Sequence, residues 1–148
     1  MANLMYGQNK ADGRVGQVTN KAKAVNLGTL GDNVTLDATE MVTAPAIYCD
    51  PAGARNATTP TAALLISAME TYTGCNANVG DGFEFSLINA GTSGADETIT
   101  VVAGTGITLI GAPEVENPDN THDAFSSGSG LFRVQMTGAA ACDVIRLA

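Results

Sequence analysis

The chain contains no tryptophan, a single histidine and only 5% aromatic residues in 148 positions. That histidine, His122, lies in "NPDNTHDAF" between Asp119 and Asp123. A metal or acid–base site can be imagined there, but a zinc site needs two or three further ligands and none is nearby. The segment also fails the EF-hand pattern, with no late bidentate Glu. A solvated polar loop is the reading it supports better. The three cysteines, Cys49, Cys75 and Cys142, are odd in number and lack CxxC spacing. Reduced thiols of a protein made in a cytoplasm are expected, with a disulfide between two of them the alternative. No run approaches the roughly 18 apolar residues of a membrane-spanning helix. "MANLMYGQNK" has no apolar core, so no classical secretory signal is expected. Without one, the Asn33-Val34-Thr35 and Asn56-Ala57-Thr58 sequons are best read as coincidence.

Motifs that carry chemistry are also scarce. The glycine-rich "GTSGADE" and "AGTGITLIG" match neither the phosphate-cradling GxxxxGK[ST] loop nor the dinucleotide GxGxxG turn. No GxSxG elbow is present, and no cysteine has a local histidine partner. Paired acids such as Asp96–Glu97 and Glu114/Glu116 read as exposed charge among fifteen carboxylates. A structural or binding role is expected, with no catalytic residue, metal or cofactor.

What the chain does have is charge asymmetry. Its formal net charge is −8. Residues 1–24 hold Lys10, Arg14, Lys21 and Lys23, four of the seven basic residues, against one acid, Asp12. That segment is therefore +3 and residues 25–148 are −11. An acidic body argues against a broad nucleic-acid surface, which needs clustered Lys and Arg. Residues 1–24 also lack an apolar face and are interrupted by Gly7, Gly13 and Gly16. They cannot bury enough surface to offset ordering entropy, so an extended arm is expected, followed by one domain over 25–148.

The body is rich in β-branched residues and in glycine, with 17 Gly. "DNVTLDA" alternates Val34 and Leu36 with polar residues, and "APAIYCDPAG" gives a second strand closed by a turn at Asp50 and Pro51. "TTPTAALLISAMETY" predicts one helix near 60–72. Thr59 would be the N-cap, Pro60 the first residue, and Leu64, Leu65, Ala68, Met69 and Tyr72 the buried face. Gly74 would end it. "GDGFEFSLINAG" places Phe83, Phe85 and Leu87 on one face. "ETITVVAGTGITLIG" reads as a hairpin with Ile99 and Val101 on one arm and Ile107 and Leu109 on the other, turning at Gly104–Gly106. "LFRVQMTG" points Phe132, Val134 and Met136 inward, and "ACDVIRLA" closes the sequence with Ile145 and Leu147. Residues 111–130 form a long polar loop with one short element around Val115. Close strand spacing without intervening helices predicts an all-β fold, a mainly antiparallel β-sandwich or small barrel.

"GDNVTLDATEMV", "AIYCDPAGARNATTPTAALLISAM", "VGDGFEFSLINAG", "ETITVVAGTGITLIGAPEV" and "LFRVQMTG…DVIRLA" occur in that order over roughly residues 30–148. The ordered set resembles the small head decoration (cement) proteins of tailed phages and related β-rich capsid appendages. "ETYTGCNANVGD" and "NPDNTHDAFSSGSG" are longer than that pattern. The resemblance implies a non-enzymatic homotrimer on the outer capsid surface of the virion at (quasi-)three-fold positions, bracing the shell. It carries over no catalytic residue. Its expected partners are the major capsid protein and itself, with no nucleic acid and no membrane. The basic arm, through Lys10, Arg14, Lys21 and Lys23, would then dock on the shell. Two further readings stand beside it. One is another virion appendage, a head-fibre base or a host receptor or glycan-binding module using residues 111–130. The other is a small enzyme using surface carboxylates.

Overall fold

Hydrophobic alternation forms strands where the sequence predicts them, but their partners differ from the expected ones. The computed structural model describes residues 17–18, 23–91, 97–117 and 128–148. In chain order the elements are β1 (Gln17–Val18), β2 (Val25–Leu30), β3 (Val34–Thr35), α1 (Ala38–Thr43), β4 (Ala46–Pro51), β5 (Arg55–Thr58), α2 (Ala62–Thr73) and β6 (Gly82–Asn89). After them come β7 (Thr98–Val102), β8 (Ile107–Ile110), β9 (Glu114–Glu116), β10 (Ser129–Gly138) and β11 (Ala141–Arg146). The fold is mainly β, with two helices among the described residues.

The strands form two mixed sheets. The larger runs β2-β4-β6-β10-β11-β8, and the smaller runs β3-β5-β7-β9. From β2 to β10 the chain alternates between them, one strand in each in turn. This corrects the expected antiparallel order. A parallel pair needs a crossover, and from β2 to β7 each crossover carries one helix, α1 or α2, together with a strand of the other sheet. β2 and β4, β4 and β6, β3 and β5, and β5 and β7 are therefore all parallel. Antiparallel pairing joins β6 to β10, β10 to β11, and β7 to β9.

The hairpin over 97–111 is corrected for the same reason. β7 belongs to the small sheet, whereas β8 pairs in parallel with β11 in the large one. Gly104 stands where the chain passes between sheets. A Cβ there would lie 2.3 Å from the Thr59 carbonyl oxygen, so only glycine permits the approach. Asp50 and Pro51 are likewise strand residues of β4, and the bend follows at 52–54.

Helix α2 starts later than expected. Thr61 is its N-cap, its Oγ1 accepting from the Leu64 N–H at 3.3 Å. Thr59 instead prolongs the β5–β7 pairing, its N–H donating to the Val102 carbonyl and its Oγ1 accepting from the Gly104 N–H. The buried face is Ala62, Leu65, Ile66, Met69 and Thr73, and Leu64 is 57% exposed. Gly74 caps the end in the left-handed conformation, as its position predicts. Helix α1 was not expected. Asp37 caps it by accepting the Glu40 N–H at 3.0 Å, and it buries Met41 and Val42 against α2 and the large sheet.

One core joins both sheets and both helices. Phe83, Phe85, Leu87, Phe132, Val134 and Met136 enter it from the large sheet and Ile99 and Val101 from the small one, as the alternation predicts. Val115 of β9 is buried as well. Phe85 and Phe132 are cross-strand neighbours whose rings stack at 5.4 Å. β11 is corrected: it buries Cys142 and Val144, while Ile145 is half-buried and Leu147 exposed.

Two polar side chains, the buried Asn89 and the half-buried Arg146, cross from the large sheet to the small one. Asn89 Nδ2 donates to the carbonyls of Glu97 (2.6 Å) and Val115 (3.2 Å), and its Oδ1 accepts from the Gly91 N–H. Arg146 lies 5.0 Å over the Phe132 ring and donates through Nη1 to the Glu114 carbonyl at 3.0 Å and through Nη2 to Ser129. Together they grip two successive carbonyls of β9. Removing one partner leaves buried groups unsatisfied, which costs more than the bond itself contributes. Asn89→Ala should therefore lower stability by about 2–3 kcal/mol. Asn56→Ala, at an exposed side chain, should stay within about 0.5 kcal/mol. Urea midpoints for the two variants check this.

Candidate functional site

The expected docking residues fall mostly outside the described residues: Lys10, Arg14 and Lys21 do so, as do His122, Asp119 and Asp123. Lys23 is described. It is exposed two residues before β2, the edge strand of the large sheet. Of the arm, Gln17–Val18 pair in parallel with Gly82–Phe83 of β6. They occupy the same side of β6 that β4 takes farther along at Ser86–Asn89.

The three arginines of the body are engaged within it. Arg55 donates to the carbonyls of Leu30, Ala52 and Ala54. Arg133 sits 3.7 Å from Glu84 on the outer face of the large sheet, and Arg146 is committed to β9. An anionic partner would therefore have to find its positive charge in residues 1–24.

Among the described residues no three His, Cys, Asp or Glu side chains gather as a metal site. No helix among them is long and apolar enough to cross a membrane. Glu97, one of the paired acids, is buried rather than exposed: Asn117 Nδ2 donates to its Oε2 at 3.0 Å. Glu114 and Glu116 are exposed as expected.

Among the described residues lies a concavity that sequence reasoning missed. An open groove of about 770 Å³ runs between α1 and α2 and over the loop at Gly104 and Thr105. Its walls exist because Leu64, Ala68 and Tyr72 fall on the side of α2 away from its most buried face. Three threonines there are tied up internally: Thr59 and Thr61 as above, and Thr43, whose Oγ1 donates to the Thr39 carbonyl at 2.8 Å. Asp37, exposed, is the one carboxylate among the described lining residues, and none of them is a lysine, arginine or histidine. The signals were present in Asp37-x-x-Glu40, a helix-start pattern, and in the dense threonines of "TTPT". Neither reveals that α1 and α2 face each other.

No family model, curated protein or solved structure matches this chain.

All three thiols are free, with Cys49 and Cys142 buried and Cys75 half-buried. Burial, and secondarily the neighbouring Asp50 and Asp143 carboxylates, raise the Cys49 and Cys142 thiols from 9.0 to about 11. The unfolded chain therefore loses these protons first. Their contribution to stability is complete below pH 9 and drains away as pH rises toward 11. A thiol reagent at neutral pH should label Cys75 alone until denaturant is added. The urea midpoint should fall from about pH 9 upward, less steeply in the C49A/C142A variant.

Proposed function

We propose that this chain is a non-enzymatic decoration protein of a tailed-phage head. It would bind the outer capsid surface as a homotrimer at (quasi-)three-fold positions and stabilise the shell. In this reading the two sheets pack as the halves of a sandwich, and residues 1–24 dock on the major capsid protein through Lys10, Arg14, Lys21 and Lys23. The ordered sequence motifs over residues 30–148 suggest the family. The observation that carries the docking role is the commitment of positive charge. Arg55, Arg133 and Arg146 are spent on internal partners, whereas Lys23 stands exposed beside an edge strand. An acidic body offers a capsid little else to attract carboxylate-rich surface.

Trimerisation would present three arms at once, and multivalency could raise avidity by roughly 10²-fold over one arm. Binding only the assembled, expanded shell would stabilise it by mass action. A second reading, a host-facing virion appendage, is favoured by the groove between α1 and α2, since decoration alone does not require such a concavity.

Deleting residues 1–24 discriminates between the two. On the decoration reading the truncated chain sediments with shells at least about tenfold more weakly than the full chain. Full-chain binding also weakens with rising salt. Unchanged shell affinity after deletion contradicts the docking role. Sedimentation equilibrium of the purified chain should give three times the 15.0 kDa protomer mass.

A further inference from the structure

The groove between α1 and α2 has walls that mix hydroxyl-bearing with apolar side chains. The hydroxyls of Thr35, Thr39, Thr58, Ser67, Thr71 and Thr105 line it and form no hydrogen bond with the described residues. Each hydroxyl can donate and accept. Each threonine also sets a methyl beside its oxygen, so the surface alternates polar and apolar at the scale of single atoms. Leu64, 57% exposed, and the half-buried Tyr72 add apolar area on the α2 side. The volume of about 770 Å³ falls within the roughly 300–1,000 Å³ of ligand pockets.

From these features we propose that the groove is a binding site for neutral carbohydrate, one or a few hexose units of a glycan. A sugar ring presents the same alternation of C–H and O–H that the walls present. Tyr72 offers a ring edge or face to its C–H groups, and Asp37 offers a carboxylate. Asp37 Oδ1 is held by the Glu40 N–H, and Oδ2 accepts no hydrogen bond from the described residues. Anionic ligands fit poorly. No described lining residue is cationic, Asp37 repels them, and residues 25–148 are net −11. An aliphatic lipid would match the apolar part of the walls but would leave the hydroxyls it covers without partners. This inference does not rest on the capsid reading, and the two fail separately: deletion of residues 1–24 tests the docking role, and substitutions at Ser67 and Thr71 test the groove.

The test uses the full chain labelled with 15N. It is titrated with maltotriose, cellotriose, chitotriose and lactose, with 3′-sialyllactose as the anionic comparator and a neutral hexapeptide as the peptide comparator. At least one neutral saccharide should shift the amides of Thr39, Ser67 and Thr71 saturably, and more tightly than 3′-sialyllactose does. Thr71→Val, which keeps shape and removes one exposed hydroxyl, should weaken that binding by about three- to tenfold. Ser67→Arg, at an exposed helix position, should block the groove and abolish it. The spectrum of each variant away from the groove reports that it is folded. Tighter binding of sialyllactose, binding of the hexapeptide alone, or no saturable shift with any neutral saccharide overturns the proposal. So does saccharide binding that Ser67→Arg leaves intact.

Discussion

The Asn89 side-chain amide spans the gap between the two sheets, and the small sheet depends on it. Because the path alternates between layers, backbone ladders run only within each layer. What joins one layer to the other is apolar packing plus a few side chains. Packing of Ile99, Val101 and Val115 against the phenylalanines of β6 and β10 supplies the bulk of the adhesion. It is not directional and would tolerate a slip of β9. Asn89 on the Val115 carbonyl and Arg146 on the Glu114 carbonyl remove that freedom. In the low-dielectric interior the Asn89 bonds are strong when made and costly when broken, whereas the Arg146 bond lies at the exposed rim. Arg146 adds shape, since its planar guanidinium stacks on Phe132 while forking to two carbonyls.

How much of this could be read in the sequence depended on whether a feature is local. Phe83, Phe85 and Leu87, or Phe132, Val134 and Met136, declare a strand and its buried face within one run of alternation. Gly74 declares a helix end through its own conformation. Pairing is not local. Ile99–Val101 and Ile107–Leu109 look like the arms of a hairpin because only a few residues separate them. Which sheet each joins is decided by β5 and β11 elsewhere in the chain. The expected antiparallel order failed because α1, too short to show a period, and α2 lie within the crossovers, each together with a strand of the opposite sheet. Thr59 was misread because its hydroxyl is claimed by Gly104, 45 residues away. Asn89 gave no signal, since one asparagine at a strand end looks like any other. The groove required α1, at Ala38–Thr43 too short to show a period, to be placed against α2.

The functional reading divides the chain by charge and by surface. Four of the seven basic residues precede β2 in the sequence, while the body keeps its own arginines occupied. Among the described residues, the hydroxyl-lined groove is built from α1, α2, the ends of the small sheet and the loop at Gly104 and Thr105, and none of these lining residues is basic. On the proposed reading, a body that braces a shell through its N-terminal segment and presents a groove to another ligand needs both layers to move as one unit. Otherwise the groove, whose floor belongs partly to the small sheet, would lose its shape when the large sheet is held.

Native-state amide hydrogen exchange tests that requirement most directly. If the Asn89 and Arg146 contacts fuse the layers, the amides of Phe85 in the large sheet and Val101 in the small one share a single opening free energy. That energy equals the global stability measured by urea unfolding. If Val101 and its β7 neighbours instead exchange through an opening of markedly lower free energy while Phe85 stays protected, the layers separate independently. The account of one fused body would then be wrong.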